Sequence, residues 1–316
     1  MYRRSFVGAL AAATQVTPAQ TQKKKWEGIF VIMQTPFHDN LEIDEPSLRK
    51  ECDFLVKGGV HGVVWPAGAG ETVSLSPKER LQYSKSVVQE VKGRVPVLIG
   101  VHGANKWDAM EYAKYAEKIG ADGLHALGPT SNVADAAILT DYFKSIASVS
   151  KLPMCAQVSN GGMTTDLLLK LADEIPTLKI LKLENSDVPH DVSRVVRERK
   201  RDVVASTGGG AMNLYTEMAR GSGGTMAGAG FADIQAAIWD LFQEGKKKES
   251  RDLFVKFLPS AVLERRTGYV LMKEILRRRG VFATTKMRNT SRVFMDAEDV
   301  NELDMIMESL KPHFRA

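Results

Sequence analysis

Cysteine is nearly absent: Cys52 and Cys155 are the only two in 316 residues. They fall in what reads as an early helix and a buried strand. That argues against a disulfide or metal framework and for two small core residues. No apolar run is long enough to span a bilayer, which argues against an integral membrane protein. An excess of one charge is missing as well. The formal net charge is +5, but residues 1–25 hold Arg3, Arg4, Lys23, Lys24 and Lys25 and no acid. Without them 38 basic residues face 38 acidic ones, so the body is neutral and offers no nucleic-acid surface.

The amino terminus differs from the rest. Arg3-Arg4 is followed by the short apolar run Gly8 to Ala13, ending in small residues. This is the pattern of a twin-arginine export signal, with residues 14–25 as a polar linker. Export to the periplasm is one expectation. A tail on a cytoplasmic protein is the other.

From Gly28 onward, short strand-like runs alternate with amphipathic segments. The runs are Gly28–Met33, Gly62–Trp65, Val95–Val101, Gly123–Leu127, Leu152–Val158, Leu178–Leu183, Val203–Ser206 and Gly224–Ala229. Helical spacing covers Glu45–Lys57, Pro77–Val91, Lys106–Ile119, 136–149, 165–174, 187–199, 211–220 and 233–245. Ser76, Pro77 and Glu79 have the types and spacing of a helix start. Eight such repeats predict an α/β fold, a (β/α)₈ TIM barrel over 26–245. An open doubly wound sheet is the alternative, and the missing Gly-rich fingerprint after the first strand counts against it. Residues 246–316 read as helices only, over Glu249–Leu258, Val262–Arg279 and Ala297–Leu310. They predict an appended C-terminal helical extension, not a second catalytic domain.

Functional groups of such a barrel sit at the C-terminal ends of its strands. There Lys182 stands inside the apolar run Ile180-Leu181-Lys182-Leu183. Burial of a lysine disfavours its ammonium form and leaves a nucleophilic amine. Such an amine condenses with a ketone to an imine, an electron sink for cleavage or formation of C–C bonds. A lysine that only pairs with Glu184 is the plainer reading. After the second strand, Ala67-Gly68-Ala69-Gly70 has almost no side chains. Its backbone N–H groups can approach a carboxylate closely, or it is merely a tight turn. Gly208-Gly209-Gly210 and Gly228-Ala229-Gly230 end strands seven and eight, where many barrels hold phosphate. Trp65, His102 and His125 are further residues near the strand ends, with core packing as the alternative for Trp65 and His125.

Several motifs, in order and spacing, resemble the dihydrodipicolinate synthase/N-acetylneuraminate lyase family over about residues 27–311. Thr35-Pro36-Phe37 is similar to its opening T-P-F. Gly70-Glu71, Leu75-Ser76 and Glu79-Arg80 follow its G-E…L-S…E-R. Pro96 to Val101 is similar to its third strand, Ala116 to Gly123 follows A-E-x-x-G-A-D-G, and Lys182 falls at its imine-forming lysine. The resemblance implies a Schiff-base lyase, an aldolase or dehydratase, acting on a small 2-oxo acid such as pyruvate or a keto-deoxy sugar acid. It implies no metal or organic cofactor, no nucleic-acid or membrane partner, and a homodimer or homotetramer. Lys182 and Gln157 are then the catalytic candidates. Thr35, Gly68, Ala69, Gly70, Gly208 and Met226 are the substrate-binding ones.

The chain also departs from that family. Gly68 and Ala69 replace its two hydroxyl residues, and Gln157 replaces its proton-relaying tyrosine. Thr130 and Ser131 stand near its other tyrosines, and Gly162 near the arginine that binds a dicarboxylate. Lysine biosynthesis is therefore not expected. Gln157 can hydrogen-bond but cannot carry a proton as a phenol does. Glu184, His102 and His125 are the candidates to replace it. A barrel that binds a small acid without turnover, and a phosphate-binding barrel enzyme, are the rival expectations.

Overall fold

The structure, a computed structural model, describes residues 26–129, 135–157, 163–184, 186–289 and 294–316. Residues 1–25, where an export signal is one expectation, lie outside the described residues. So do Thr130, Ser131, Val158, Ser159, Asn160, Gly162 and Asn185.

Eight parallel strands follow one another around the molecule: β1 (Gly28–Ile32), β2 (Gly62–Trp65), β3 (Val97–Gly100), β4 (Gly123–Leu127), β5 (Met154–Gln157), β6 (Leu178–Leu183), β7 (Val204–Thr207) and β8 (Gly224–Thr225). Gly28 pairs with Gly224 and Ile29 with Thr225, so β8 returns to β1 and the sheet closes. That closure decides for the barrel over the open sheet. Between the strands lie α1 (Glu45–Lys57), α2 (Pro77–Val91), α3 (Lys106–Lys118), α4 (Ala136–Val149), α5 (Thr165–Glu174), α6 (Val188–Glu198) and α7 (Leu214–Ala219), with α8 (Ala232–Gln243) after the last. Helix α2 shows why the helix starts were legible. The Ser76 side chain accepts from the Glu79 N–H, the Glu79 side chain accepts from the Ser76 N–H, and Pro77 opens the helix,.

Alternation along the strands sorts the apolar residues into two shells. Ile29, Val31, Val63, Ile99, Ala126, Ala156 and Leu181 face outward into the layer between sheet and helices. Phe30, Ile32, Val64, Leu98, Cys155, Ile180 and Met226 face inward and fill the barrel. The interior is a packed plug, so a ligand can enter only at its ends.

Two expectations are corrected. The eighth run extends as a regular strand only over Gly224–Thr225, although Ile32 N–H still donates to Ala227 O at 2.9 Å and Ile32 bridges to Gly228. A glycine-rich segment has too few side chains to hold a longer pleat. The C-terminal helices are α9 (Lys247–Thr267), α10 (Tyr269–Arg278) and α11 (Ala297–Leu310), so the first break comes at Gly268 rather than near Pro259. Pro259 removes a hydrogen bond to Val255, but both residues are exposed and water can satisfy the freed carbonyl,. Gly268, at φ 75° and ψ −156°, cannot continue a helix. No helix among the described residues is long and apolar enough to cross a membrane.

Candidate active site

Strand β6 delivers the lysine. Leu181 and Leu183 belong to the outer shell and Ile180 to the inner one, so Lys182 also points into the barrel. It is level with Gln157 on β5 and Ser206 on β7. One step below lie Ile180 and Cys155, whose Sγ is 3.9 Å from the Met226 Sδ. Lys182 therefore stands on an apolar floor, 4% exposed, and opens into a cavity of about 390 Å³.

Glu184, two residues on, faces the same way. Its Oε1 lies 3.3 Å from the Lys182 Nζ and accepts the Gly209 N–H at 3.1 Å. Its Oε2 accepts from the Gln157 side-chain amide. Two N–H donors and the lysine charge thus hold one carboxylate. Gly208 makes this packing feasible: a Cβ there would lie 1.8 Å from the Glu184 Oε1 and 2.9 Å from the Lys182 Cε. Gly208 backs the pair but does not line the cavity, whereas Gly209 and Gly210 do.

Gly68, Ala69 and Met226 also line the cavity, and Gly70 and Thr35 do not. In the turn after β2, Gly70 N–H donates to Ala67 O at 2.9 Å and Glu71 N–H to Gly68 O at 3.1 Å. Only the N–H groups of Gly68 and Ala69 remain without a described partner, so the run of three amides reduces to two. Thr35 works from beneath, donating to Gly70 O at 2.6 Å and accepting from the Trp65 indole at 3.1 Å. Trp65 is fully buried in the outer shell. Trp65 thus braces Thr35, and Thr35 braces the turn.

Neither His102 nor His125 reaches the cavity. Burial, then the Arg80 charge, pushes His102 down to about 3. Burial, then the charges of Lys182 and His102, holds His125 well below the usual histidine range. Both are buried and neutral at pH 7 and do not line the cavity. Among the described residues no group of three or more His, Cys, Asp or Glu side chains is placed to hold a metal ion.

The opposite wall was not foreseen. Glu264, Arg265 and Arg266 of α9, Tyr269 of α10, and Met287 and Asn289 beyond it all face the cavity. Arg266 is tied to Asp299 at 2.5 Å, whereas Arg265 has no acidic partner among the described residues. Glu264 is half-buried, and burial pushes it up to about 7. The strand-end rule cannot find these residues, because they belong to the helices that follow the barrel.

The family model described as the Dihydrodipicolinate synthetase family matches residues 25–308. The chain belongs to that family. It is 30% identical over 240 residues to a 4-hydroxy-tetrahydrodipicolinate synthase of Methanopyrus kandleri, covering 74% of this chain and 79% of that protein. It is 25% identical over 272 residues to an L-2-keto-3-deoxyarabonate dehydratase of Azospirillum brasilense, covering 83% and 87%. Among solved structures it is similar to the prophage protein YagE of Escherichia coli K12, described in complex with pyruvate. There the TM-score is 0.83 at 21% identity, over 90% of this chain and 99% of that one. The last likeness shows the barrel. Membership of the dihydrodipicolinate synthetase family makes the chain a lyase of the class I aldolase type.

Proposed function

We propose that this member of the dihydrodipicolinate synthetase family forms an imine between Lys182 and C2 of a small 2-oxo acid, pyruvate-like or a keto-deoxy sugar acid. The observation that carries this is the amine itself: buried, inward-facing, on an apolar floor, at the base of a cavity. The Nζ attacks the carbonyl carbon and water leaves. The substrate carboxylate is held by the free N–H groups of Gly68 and Ala69. Gln157 orients the substrate or a water through its side-chain amide. The imine then accepts an electron pair from C3: that of the breaking C3–C4 bond in an aldolase, or that of a breaking C3–H bond in a dehydratase, where the C4–O pair afterwards departs with the oxygen as water.

Two rivals are less well supported. A phosphate bound after β7 would compete with Glu184, which already takes the Gly209 N–H and brings a negative charge. A barrel that binds without turnover fits the loss of the hydroxyl residues, but does not account for Lys182 buried beside the cavity. Chain order separates 26–245 from 246–316. We propose that function does not, since α9 and α10 complete the cavity.

Borohydride trapping with pyruvate and longer 2-oxo acids, read by intact mass and peptide mapping, tests the reading. A stable adduct on Lys182 is expected, and its loss in Lys182→Ala together with all turnover. An adduct elsewhere, or none with folded protein, rejects it.

A further inference from the structure

The imine reading leaves a proton to be moved and no tyrosine at position 157 to move it. Gln157 has no titratable proton, and both oxygens of Glu184 are occupied by donors. Glu264 differs in each respect. It reaches the cavity from α9, and no described neighbour donates a hydrogen bond to its carboxylate. The three-glycine segment lies between it and the lysine. A Cβ on Gly208 would meet Glu184 and Lys182, and one on Gly210 would lie 2.9 Å from the Glu264 Oε2. Gly228 approaches Glu264 from the segment after β8, its Cβ position 3.7 Å from Oε1. Glycines thus keep side chains away from the Lys182 chain and from both Glu264 oxygens, and the two groups open on one cavity.

We infer that Glu264 is the catalytic base that removes the C3 proton of the Lys182 imine. This rests on the imine reading. The C3–H bond breaks, its proton goes to a Glu264 oxygen, and its electron pair becomes the C2–C3 double bond of an enamine as the C=N π pair moves onto nitrogen. With a hydroxyl at C4, the same acid then returns the proton to the departing oxygen, which leaves as water. Burial holds Glu264 at about 7, where a carboxyl can both accept and give a proton near neutrality. The other charged groups on the cavity are Lys182 of β6, Glu184 just after it, and Arg265 and Arg266 of α9. Tyr269, the phenol on this wall, is 41% exposed at the rim.

The test uses pyruvate in D₂O, with methyl deuteration followed by NMR and borohydride trapping run alongside. Wild type should exchange, with a rate per trapped imine that rises with pH to a plateau through a midpoint near 7. Glu264→Gln should still be trapped on Lys182 and lose exchange by roughly 100-fold or more. Tyr269→Phe should keep it. Exchange retained in Glu264→Gln, exchange lost in Tyr269→Phe alone, or a wild-type profile flat from pH 5.5 to 8.5 would overturn the role of Glu264 and leave the imine standing. No adduct in wild type would remove the imine reading and this inference with it. The wild-type profile decides the matter even if the variant does not fold.

Discussion

A carboxyl kept near pH 7 by burial alone costs stability, and the sign can be worked out. The ordinary glutamate value is 4.5, and Glu264 is raised to about 7 in the folded state. The native protein therefore binds this proton more tightly than the unfolded chain does. The stability this gives is full below about 4.5 and is lost as pH rises through 7,. Glu217, also pushed up to about 7 by burial, adds to the loss with the same sign. Glu264→Gln removes one of the two contributions. Its melting temperature should match wild type near pH 4 and exceed it by a few degrees at pH 8.5, about 1–2 kcal/mol after allowing for partial solvent screening. A difference independent of pH would show that Glu264 does not titrate in this window. Activity lost and stability gained by one substitution is the pattern of a group kept for chemistry.

At the scale of elements, the far wall of the cavity is held by a buried ion pair that the sequence pattern only half disclosed. The Gly70-Glu71 motif was legible, and its partner was not. Lys273 on α10 donates to the Glu71 Oε1 at 2.6 Å and to Lys286 O at 2.7 Å, and the other Glu71 oxygen accepts the N–H groups of Arg288 and Asn289 at 2.9 Å. Arg288 continues outward to Glu79, whose carboxyl it pulls down to about 2. One glutamate after β2 thus fixes the segment that carries Met287 and Asn289 into the cavity. Lys273→Met leaves the Glu71 charge buried and unpaired, so a loss of about 3–5 kcal/mol is expected. An unchanged urea midpoint would refute it. The strands, helices and Lys182 could be read from the sequence because each is a local pattern of period 2 or 3.6. Lys273 and Glu264 carry no such mark: each is a charged residue on an amphipathic helix, where a charge is ordinarily solvated. Only the docking of α9 and α10 on the barrel mouth turns them inward, and that docking is a tertiary fact.

For the whole molecule, the sequence resemblance implies more than one copy, and the surface offers a place to look. Trp107 on α3 is 67% exposed and Ile138 on α4 is 52% exposed. The two helices are joined by Lys106, next to Trp107, and Asp141, three residues after Ile138, at 2.7 Å. A tryptophan left this exposed is costly in a monomer and enriched at interfaces. A self-association that buries it should give a sedimentation mass of two or four chains, with Trp107→Glu shifting the distribution toward the monomer. The active site described above is built within one chain, so the dissociated variant should still trap pyruvate on Lys182. If Trp107→Glu leaves the mass unchanged, the interface lies elsewhere. If it yields monomers that no longer trap, assembly holds the site together, and the cavity formed by β6, α9 and the glycine segments is incomplete without a second copy.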